Sequence, residues 1–349
     1  MARVTVLGAG MMGSALCVPL TDSGHDVRLV GTHLDDDIIT SLLQRAYHPT
    51  LNFALPASIR PYYSTDLELA ASDTELMVVG VSSAGVHWAG RQLAAVLRPD
   101  VPVAMISKGL AWQDGQLTLL PDLLASHVPT GPGQHLHPAA IGGPCIAGEL
   151  VRRVPTCVVL TGRDPRVCDT VADLLRTPYY RVWQDPDVTG VQVCAAAKNA
   201  YAVGMAFGMG LHEARGGRPG PIALHNYEAA VLAQSVREMQ RLVRALGGDP
   251  QTVAGLAGIG DLNVTCNGGR TGRFGKLLGS GIGLSAALER MQGQTLECRE
   301  ILATFRDALP SLQAQKRLTS GSLPLLDHLA RVALDGDPVE VPFERFFGP

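Results

Sequence analysis

The sequence predicts two domains: an α/β domain of parallel strands over residues 1–187, and an all-helical domain over residues 188–349. Three observations carry this prediction. Short apolar runs alternate with helical segments up to about residue 187, the pattern of a parallel sheet covered by helices. The first apolar run leads into a glycine-rich turn. Beyond residue 187 the apolar residues recur at helical intervals only.

The chain begins as strand, tight turn, helix and second strand. The apolar run Val4–Leu7 leads into a G-x-G-x-x-G turn formed by Gly8, Gly10 and Gly13. In this motif the first glycine permits the turn, the second lets a pyrophosphate approach, and the third lets the helix pack on the strand. The helix N-terminus then offers N–H groups to the anion. We therefore predict a Rossmann-type dinucleotide-binding domain; the alternative is a glycine-rich turn that binds nothing.

The end of the second strand does not decide between NAD and NADP. An acidic side chain at this point would bond the adenosine ribose of NAD. The strand instead ends in Gly31, Thr32 and His33, and the acidic run Asp35–Asp37 comes slightly late. Either dinucleotide is therefore compatible with the sequence.

Two later apolar runs, Thr74–Ser83 and Val101–Leu110, are further predicted strands that end in small polar residues. Ligands of open α/β sheets collect beyond the carboxyl ends of the strands, and Lys108 lies just past one such end. Lys108 is therefore a candidate ligand-binding residue, and the alternative is a solvated loop lysine.

The segment "VQVCAAAKNAYAVGMAFGMGL", residues 191–211, carries a single charge, Lys198. A membrane span is one interpretation, but a central lysine costs about 2.5–3.5 kcal/mol on insertion scales. A lysine that snorkels to water is a second interpretation, which suits a helix end better than its middle. We favour a helix buried on all sides, in which Lys198 needs a partner or a chemical role because desolvation disfavours its charge. In two-domain proteins of this plan the ligand usually lies between the domains.

The composition argues against several classes of protein. A net charge of −3 favours neither nucleic acid nor an anionic membrane as a partner, and 46% hydrophobic with 17% charged residues is typical of a globular protein. The N-terminus has no apolar signal-peptide core. The seven cysteines are scattered without a C-x-x-C pair, which predicts reduced thiols in a cytoplasmic protein and no metal site.

Six motifs in one order resemble the NAD(P)-dependent sn-glycerol-3-phosphate dehydrogenase family, over residue 3 to about residue 330. They are "GAGMMG", "SKGL", "GGPCIAGE", "AAAKNAYAVGMAFGMG", "REMQRLVRALGGDPQTVAGLAGIGDLNVTC" and "GGRTGRFGKLLG". The resemblance implies a Rossmann-type domain followed by an all-α domain like the C-terminal domain of 6-phosphogluconate dehydrogenase. It also implies NAD or NADP as cofactor, and reversible hydride transfer between the cofactor and dihydroxyacetone phosphate that gives sn-glycerol 3-phosphate.

The resemblance further implies the roles of individual residues. Lys198 matches the family's catalytic lysine, Asp261 would orient it, and Lys108 would add positive potential at the substrate. These roles suit hydride transfer to a ketone, which builds negative charge on oxygen and requires a proton. Arg270 matches an arginine that contacts the substrate phosphate and the cofactor, and its guanidinium suits bidentate binding of phosphate.

The other residues assigned by the resemblance fall into two groups. Those expected near the substrate are Gly143, Cys145, Asn199, Thr265, Gly269 and Thr271. Those expected near the cofactor, besides the three glycines, Lys108 and Arg270, are Met11, Met12, Thr32, Ala147, Leu296 and Glu297.

The sequence departs from the family pattern at four places. Met11 and Met12 replace a serine and an aromatic residue, and Cys145 with Ile146 replaces a hydroxyl and an aromatic residue. Thr271 replaces an asparagine. The residue after the acid Glu297 is Cys298, where the family commonly has glycine. These departures leave open a sister dehydrogenase that acts on another phosphorylated hydroxy or keto compound.

A catalytically silent dinucleotide sensor is the remaining alternative. It is disfavoured because a sensor does not need the complete set of Lys108, Lys198, Asp261 and Arg270. Two other groups of residues are interpreted as solvated loops: Arg215 with Arg218, and the pair His135 and His137. We expect a small phosphorylated substrate as the ligand, no nucleic-acid partner and no membrane span. A homodimer is a further prediction.

Overall fold

The protein is described by a computed structural model that covers residues 1–129, 135–217, 224–266 and 269–347. The chain divides into two compact units. The first comprises Met1–Lys108 and Leu119–Val188, and the second comprises Gly109–Thr118 and the described chain from Thr189 onward. The sequence predicts a single division between residues 187 and 188. It does not predict that residues 109–118 belong to the second unit.

The first unit is built on an eight-stranded sheet. Its strands are β1 (Arg3–Leu7), β2 (Asp26–Val30), β5 (Arg60–Tyr62), β6 (Leu76–Val79), β7 (Val103–Met105), β10 (Ala139–Gly142), β11 (Thr156–Thr161) and β12 (Tyr180–Gln184). They lie in the order β12-β11-β10-β7-β6-β1-β2-β5. Six neighbouring strands pair in parallel, in the order β5, β2, β1, β6, β7 and β10. β11 runs antiparallel to β10, and β12 is parallel to β11. A small pair of strands, β3 (Tyr47–His48) and β4 (Phe53–Ala54), lies apart from this sheet.

Burial explains why the central strands are uniformly apolar. All four residues of β6, Leu76–Val79, are buried, as are Val4–Leu7 of β1. A parallel sheet covered on both faces has no polar side, so its strands are continuous apolar runs. The covering helices are α1 (Met11–Asp22), α2 (Asp36–Arg45), α3 (Leu67–Ala71), α4 (Val86–Val96), α5 (Leu120–Ser126), α6 (Ala147–Leu150) and α7 (Pro165–Leu175). The predicted α/β domain is confirmed.

In its described residues, the second unit is helical apart from one hairpin of strands β8 (Leu110–Gln113) and β9 (Gln116–Leu119). Its α-helices are α8 (Val188–Ala214), α9 (His225–Leu246), α10 (Asp261–Cys266), α11 (Gly269–Gly279), α12 (Leu284–Arg290), α13 (Glu297–Ala314) and α14 (Pro324–Ala330). The hairpin belongs here because β8 contacts α13 and because the Gly109 N–H donates to Gln192 Oε1 of α8, 2.9 Å away. The predicted helical domain is confirmed.

Helices α8 and α11 approach closely because glycines lie where they meet. A Cβ on Gly275 would lie 2.6 Å from the Val203 carbonyl oxygen, and a Cβ on Gly279 would lie 2.4 Å from the Phe207 oxygen. Only glycine permits this separation. The glycines of the motif "GGRTGRFGKLLG" thus fix α11, which carries Arg270, against the helix that carries Lys198.

Helix α8 is buried on all sides, as its lack of a polar face predicts. Its buried residues extend from Gly190 to Gly210, and the side chain of Lys198 is 12% exposed. Across the described part of the chain, no helix has the combination of length and hydropathy that would span a membrane.

Candidate active site

The glycine-rich turn joins β1 to α1 in the geometry that the motif predicts. Gly8 has φ of +113°, and a Cβ there would lie 2.8 Å from the Gly80 carbonyl carbon. A Cβ on Gly13 would lie 2.0 Å from the Gly8 carbonyl oxygen. Two glycines are therefore required by the fold itself, one for the turn and one for the packing of α1.

Gly10 differs, because a Cβ there would meet none of the described atoms within 4 Å. It precedes Met11, the first residue of α1, so the space beside Gly10 adjoins the N–H groups of the first helical turn. Those groups have no partner inside the helix and are suited to an anion. This turn therefore fits the pyrophosphate of a dinucleotide. Met11 is 43% exposed beside it, whereas Met12 packs on the core.

An acidic residue, Asp35, follows β2 and reaches back to its end. In the sequence the acidic run comes slightly too late to predict this position. Asp35 turns back so that its Oδ2 accepts hydrogen bonds from the Ala9 N–H (3.2 Å) and from the Thr32 N–H and hydroxyl (both 2.8 Å). Thr32 thus bonds to Asp35 at the position where the sequence predicts contact with the cofactor. The acidic run Asp35–Asp37 is the sequence signal for this residue. The sequence does not show that the chain reverses after β2 and brings Asp35 back to Ala9.

The other predicted site residues of the first unit follow neighbouring strands at one edge of the sheet. β7 and β10 are parallel neighbours, and their carboxyl ends lead to Lys108 and Gly143. Gly143 has φ of +89°, and half-buried Cys145 packs on the core. Ala147 begins α6, which packs against α1. The carboxyl edge is where open α/β sheets bind ligands.

In the second unit, Lys198 forms a buried ion pair with Asp261. Lys198 Nζ lies 2.5 Å from Asp261 Oδ1, and the two side chains are 12% and 3% exposed. Asp261 begins α10, directly after a π-helical turn over Leu256–Gly260. Irregular turns of this kind often occur at functional sites. The ammonium is thus oriented within a poorly solvated environment.

Thr265 and Asn199 flank this pair along their own helices. The Thr265 hydroxyl donates to the Asp261 carbonyl oxygen, 2.6 Å away, so it bonds to the helix backbone. Asn199 is half-buried and follows Lys198 in α8. The structure therefore places both residues next to the pair.

Arg270 and Glu297 form a second predicted group. Arg270 Nη2 lies 3.2 Å from Glu297 Oε1, and both side chains are more than a third exposed. Gly269 begins α11 with φ of +74°, and Leu296 is the N-cap residue of α13. The arginine and the acid assigned to the phosphate and the cofactor thus contact each other.

Two of the departures from the family pattern are neighbours in space. Thr271 and Cys298 are 7% and 0% exposed, and their side chains are close enough to interact. Burial raises the pKa of the Cys298 thiol to about 11, so the thiol stays protonated at neutral pH. Both side chains point into the helical core.

The histidine pair and the arginine pair lie in surface segments as far as the structure describes them. His135 and His137 are exposed, and Arg215 is exposed at the end of α8. Arg218 lies outside the described residues. Within residues 1–129, 135–217, 224–266 and 269–347, no three His, Cys, Asp or Glu residues are grouped as a metal site would require.

Two family models match the chain. The one described as NAD-dependent glycerol-3-phosphate dehydrogenase N-terminus matches residues 3–168. The one described as NAD-dependent glycerol-3-phosphate dehydrogenase C-terminus matches residues 187–344. Together these matches include every residue discussed above for the site.

Individual proteins agree with the family match. An NADP(+)-dependent glycerol-3-phosphate dehydrogenase of Archaeoglobus fulgidus is 31% identical, over 97% of this chain and 96% of that protein. An NAD(P)+ glycerol-3-phosphate dehydrogenase of Escherichia coli is 34% identical, over 88% of each. The solved structure of a glycerol-3-phosphate dehydrogenase from Coxiella burnetii superposes with a TM-score of 0.80 at 26% identity, covering 99% of this chain and 97% of that chain.

Proposed function

The chain belongs to the NAD-dependent glycerol-3-phosphate dehydrogenase family, and from this premise we propose that Lys198 is the proton donor when dihydroxyacetone phosphate is reduced. The protein is an NAD(P)-dependent oxidoreductase that acts on CH–OH groups and interconverts this ketone with sn-glycerol 3-phosphate. The observation that supports the role of Lys198 is its buried ion pair with Asp261.

A nicotinamide cofactor, when bound, would supply the hydride for the carbonyl carbon. As the C–H bond forms, the carbonyl π electrons move to oxygen, and the Lys198 ammonium donates a proton to that oxygen. Asp261 holds the ammonium in place through its carboxylate. The neutral amine then takes a proton from solvent, and in the oxidation direction it accepts the proton of the alcohol.

Arg270 would bind the substrate phosphate through two parallel hydrogen bonds. In the structure its partner is Glu297, so the phosphate would take the place of a carboxylate on the same guanidinium. Lys108, beyond β7, would contribute a second positive charge towards the substrate. A homodimer and a cytoplasmic location stay predictions.

The experiment is an assay of nicotinamide absorbance with dihydroxyacetone phosphate and either NADH or NADPH. We expect Lys198→Met to lower kcat by roughly 10²–10⁴-fold, the usual contribution of general acid–base catalysis. The affinity for NADH should stay unchanged, because the dinucleotide-binding turn belongs to the first unit. The role of Lys198 is refuted if the variant retains normal turnover.

Two controls separate chemistry from folding. Lys276→Met breaks another lysine–acid pair of the same unit, with Glu213 at 2.7 Å, and should retain activity. The double variant Lys198→Met with Asp261→Asn removes both buried charges, so no unpaired carboxylate destabilises the fold. It should be folded and inactive. If wild-type protein binds NADH but leaves dihydroxyacetone phosphate unreduced, a panel of other phosphorylated ketones becomes the next assay.

A further inference from the structure

The turn between β1 and α1 is held by side chains from distant parts of the first unit. The Gly8 N–H donates to the Val30 carbonyl oxygen at the end of β2, 2.8 Å away. Ala9, the residue between the first two glycines, is fully buried, and side chains bond to both its N–H and its carbonyl oxygen. The conformation of the turn therefore depends on residues outside the glycine motif.

Asp35 holds the N–H side of Ala9. One carboxylate oxygen, Oδ2, accepts from Ala9 and from both donors of Thr32. It therefore joins the turn after β1 to the turn after β2. Hydrogen bonds to an ionised acceptor are about twice as strong as those between neutral groups.

His48 holds the carbonyl side of Ala9. This histidine is fully buried in β3, and its Nδ1 accepts the Leu51 N–H, 3.2 Å away. Its Nε2 therefore carries the hydrogen and donates to the Ala9 oxygen at 3.0 Å. Burial lowers the pKa of His48, which keeps the ring neutral in this tautomer. The Ser14 hydroxyl donates to the same oxygen, also at 3.0 Å.

A glycine-rich turn benefits from such anchoring because glycine loses the most backbone entropy on ordering. Among the described residues, a Cβ on Gly10 would meet no atom within 4 Å, so side chains do not pack against the turn at that point. If the anchors order it before the dinucleotide arrives, binding does not bear that entropic cost.

We propose that Asp35 and His48 are positioning residues that hold the dinucleotide-binding turn in its binding conformation, for NAD and NADP alike. We call this pair the Ala9 clamp. The inference rests on the proposed function, because it concerns how the same protein holds its cofactor. It differs from the usual role of an acid after β2, which is to bond the adenosine ribose and select NAD.

The two roles make opposite predictions for the two cofactors. The pyrophosphate is common to NADH and NADPH, so loss of the clamp weakens both. A carboxylate that selects NAD repels the 2′-phosphate of NADPH, so its loss weakens NADH and strengthens NADPH. The bond from Thr32 to Asp35 Oδ2, and the 3.2 Å bond from the Leu34 N–H to the Thr32 hydroxyl, favour the clamp.

The test measures the Kd of NADH and of NADPH from nicotinamide fluorescence, without substrate. Asp35→Ala should raise both values together by roughly tenfold, which corresponds to about 1.4 kcal/mol. Asp35→Asn keeps an oxygen acceptor and should recover most of the affinity. His48→Phe should raise both values, and His48→Gln, which keeps a donor, should raise them less.

Asp36→Ala is the matched control. Asp36 is exposed and is the next residue along the chain, and its replacement by alanine removes the same charge. The replacement should therefore leave both Kd values unchanged. A fraction of unfolded protein lowers the amplitude of a binding curve and not its midpoint. Thr32→Val, which removes one donor to Asp35, is a milder second variant and should raise both values slightly.

The clamp is overturned if Asp35→Ala leaves both Kd values unchanged, or if NADH weakens while NADPH strengthens. These results would leave the proposed function intact, provided that wild-type protein binds a dinucleotide and turns over substrate. If wild-type protein binds neither dinucleotide, the proposed function fails together with the clamp.

Discussion

At the scale of single residues, the site depends on polar groups that are buried in pairs. Lys198 carries its charge inside an apolar helix because Asp261 compensates it. Removing one member of a buried pair typically costs about 3–5 kcal/mol, since the remaining charge is unpaired. Single substitutions here therefore alter stability as well as chemistry, and variants that remove both charges are the informative ones.

Thr271 and Cys298 are a second buried pair, and they change how two departures from the family pattern are interpreted. The family commonly has asparagine and glycine at these positions, whereas here a smaller residue at 271 faces a larger one at 298. Because the two side chains are buried beside each other, the smaller residue at one position offsets the larger residue at the other in volume. We therefore interpret the two departures together as one change of packing, and the predicted position of Thr271 near the substrate stays a prediction.

We expect Thr271→Asn alone to destabilise the protein by about 1–3 kcal/mol, because the longer amide overpacks against Cys298. Adding Cys298→Gly should restore part of that loss. Urea unfolding of both single variants and the double variant measures the coupling as a double-mutant cycle. Additive effects would show that the two positions are independent.

At the scale of elements, glycines act in distinct ways within one motif. Gly8 and Gly13 permit backbone contacts that a Cβ would prevent, whereas Gly10 borders open space. The same device recurs where Gly275 and Gly279 bring α11 against α8. Close packing and ligand access are therefore separable by substitution.

Gly13→Ala should destabilise the fold by on the order of 3 kcal/mol, because its Cβ would lie 2.0 Å from the Gly8 oxygen. Gly10→Ala should leave thermal stability unchanged, since its φ of −64° suits alanine. Its methyl group would nevertheless occupy the space where the pyrophosphate approaches, so we expect the Kd of NADH to rise by roughly tenfold. Normal NADH affinity in Gly10→Ala would contradict this assignment of the turn.

At the scale of the whole molecule, a buried carboxyl connects three helices of the second unit. Glu238 of α9 is fully buried and accepts from the N–H groups of Leu325 (2.8 Å) and Leu326 (2.9 Å) in α14. The Tyr201 hydroxyl of α8 and the Gln234 amide also donate to it, at 3.1 and 2.7 Å. Burial raises the pKa of Glu238 to about 7, although these four donors oppose the shift.

This pKa makes stability depend on pH. Folded Glu238 binds its proton more tightly than the unfolded chain does, whose pKa is near 4.5. Its stabilising contribution is therefore complete below about pH 4.5 and is lost as the pH rises through 7. We expect wild-type protein to lose on the order of 3 kcal/mol relative to Glu238→Gln between about pH 4.5 and pH 8.

Urea unfolding of both proteins across this pH range measures the difference. Since the glutamine side chain of the Glu238→Gln variant does not titrate, changes common to both proteins arise from other groups and cancel. A difference that is constant with pH, or that grows in favour of wild type, would contradict the raised pKa.

The sequence by itself determined the features that depend on local order along the chain. The glycine spacing, the apolar runs and the helix around Lys198 that lacks a polar face predict the α/β domain, the helical domain and the dinucleotide-binding turn. These are local consequences of backbone sterics and of the alternation between apolar and polar residues. The motif order also identifies the family, which the family models confirm.

Only the tertiary structure decided which distant side chains meet. Asp35 comes late in the sequence yet reaches the Ala9 N–H, because the chain reverses after β2. Thr271 and Cys298 are neighbours, and residues 109–118 join the helical unit, although spacing along the chain predicts neither. Such contacts depend on how helices and strands pack, and packing joins residues whose separation in sequence carries no information about their separation in space.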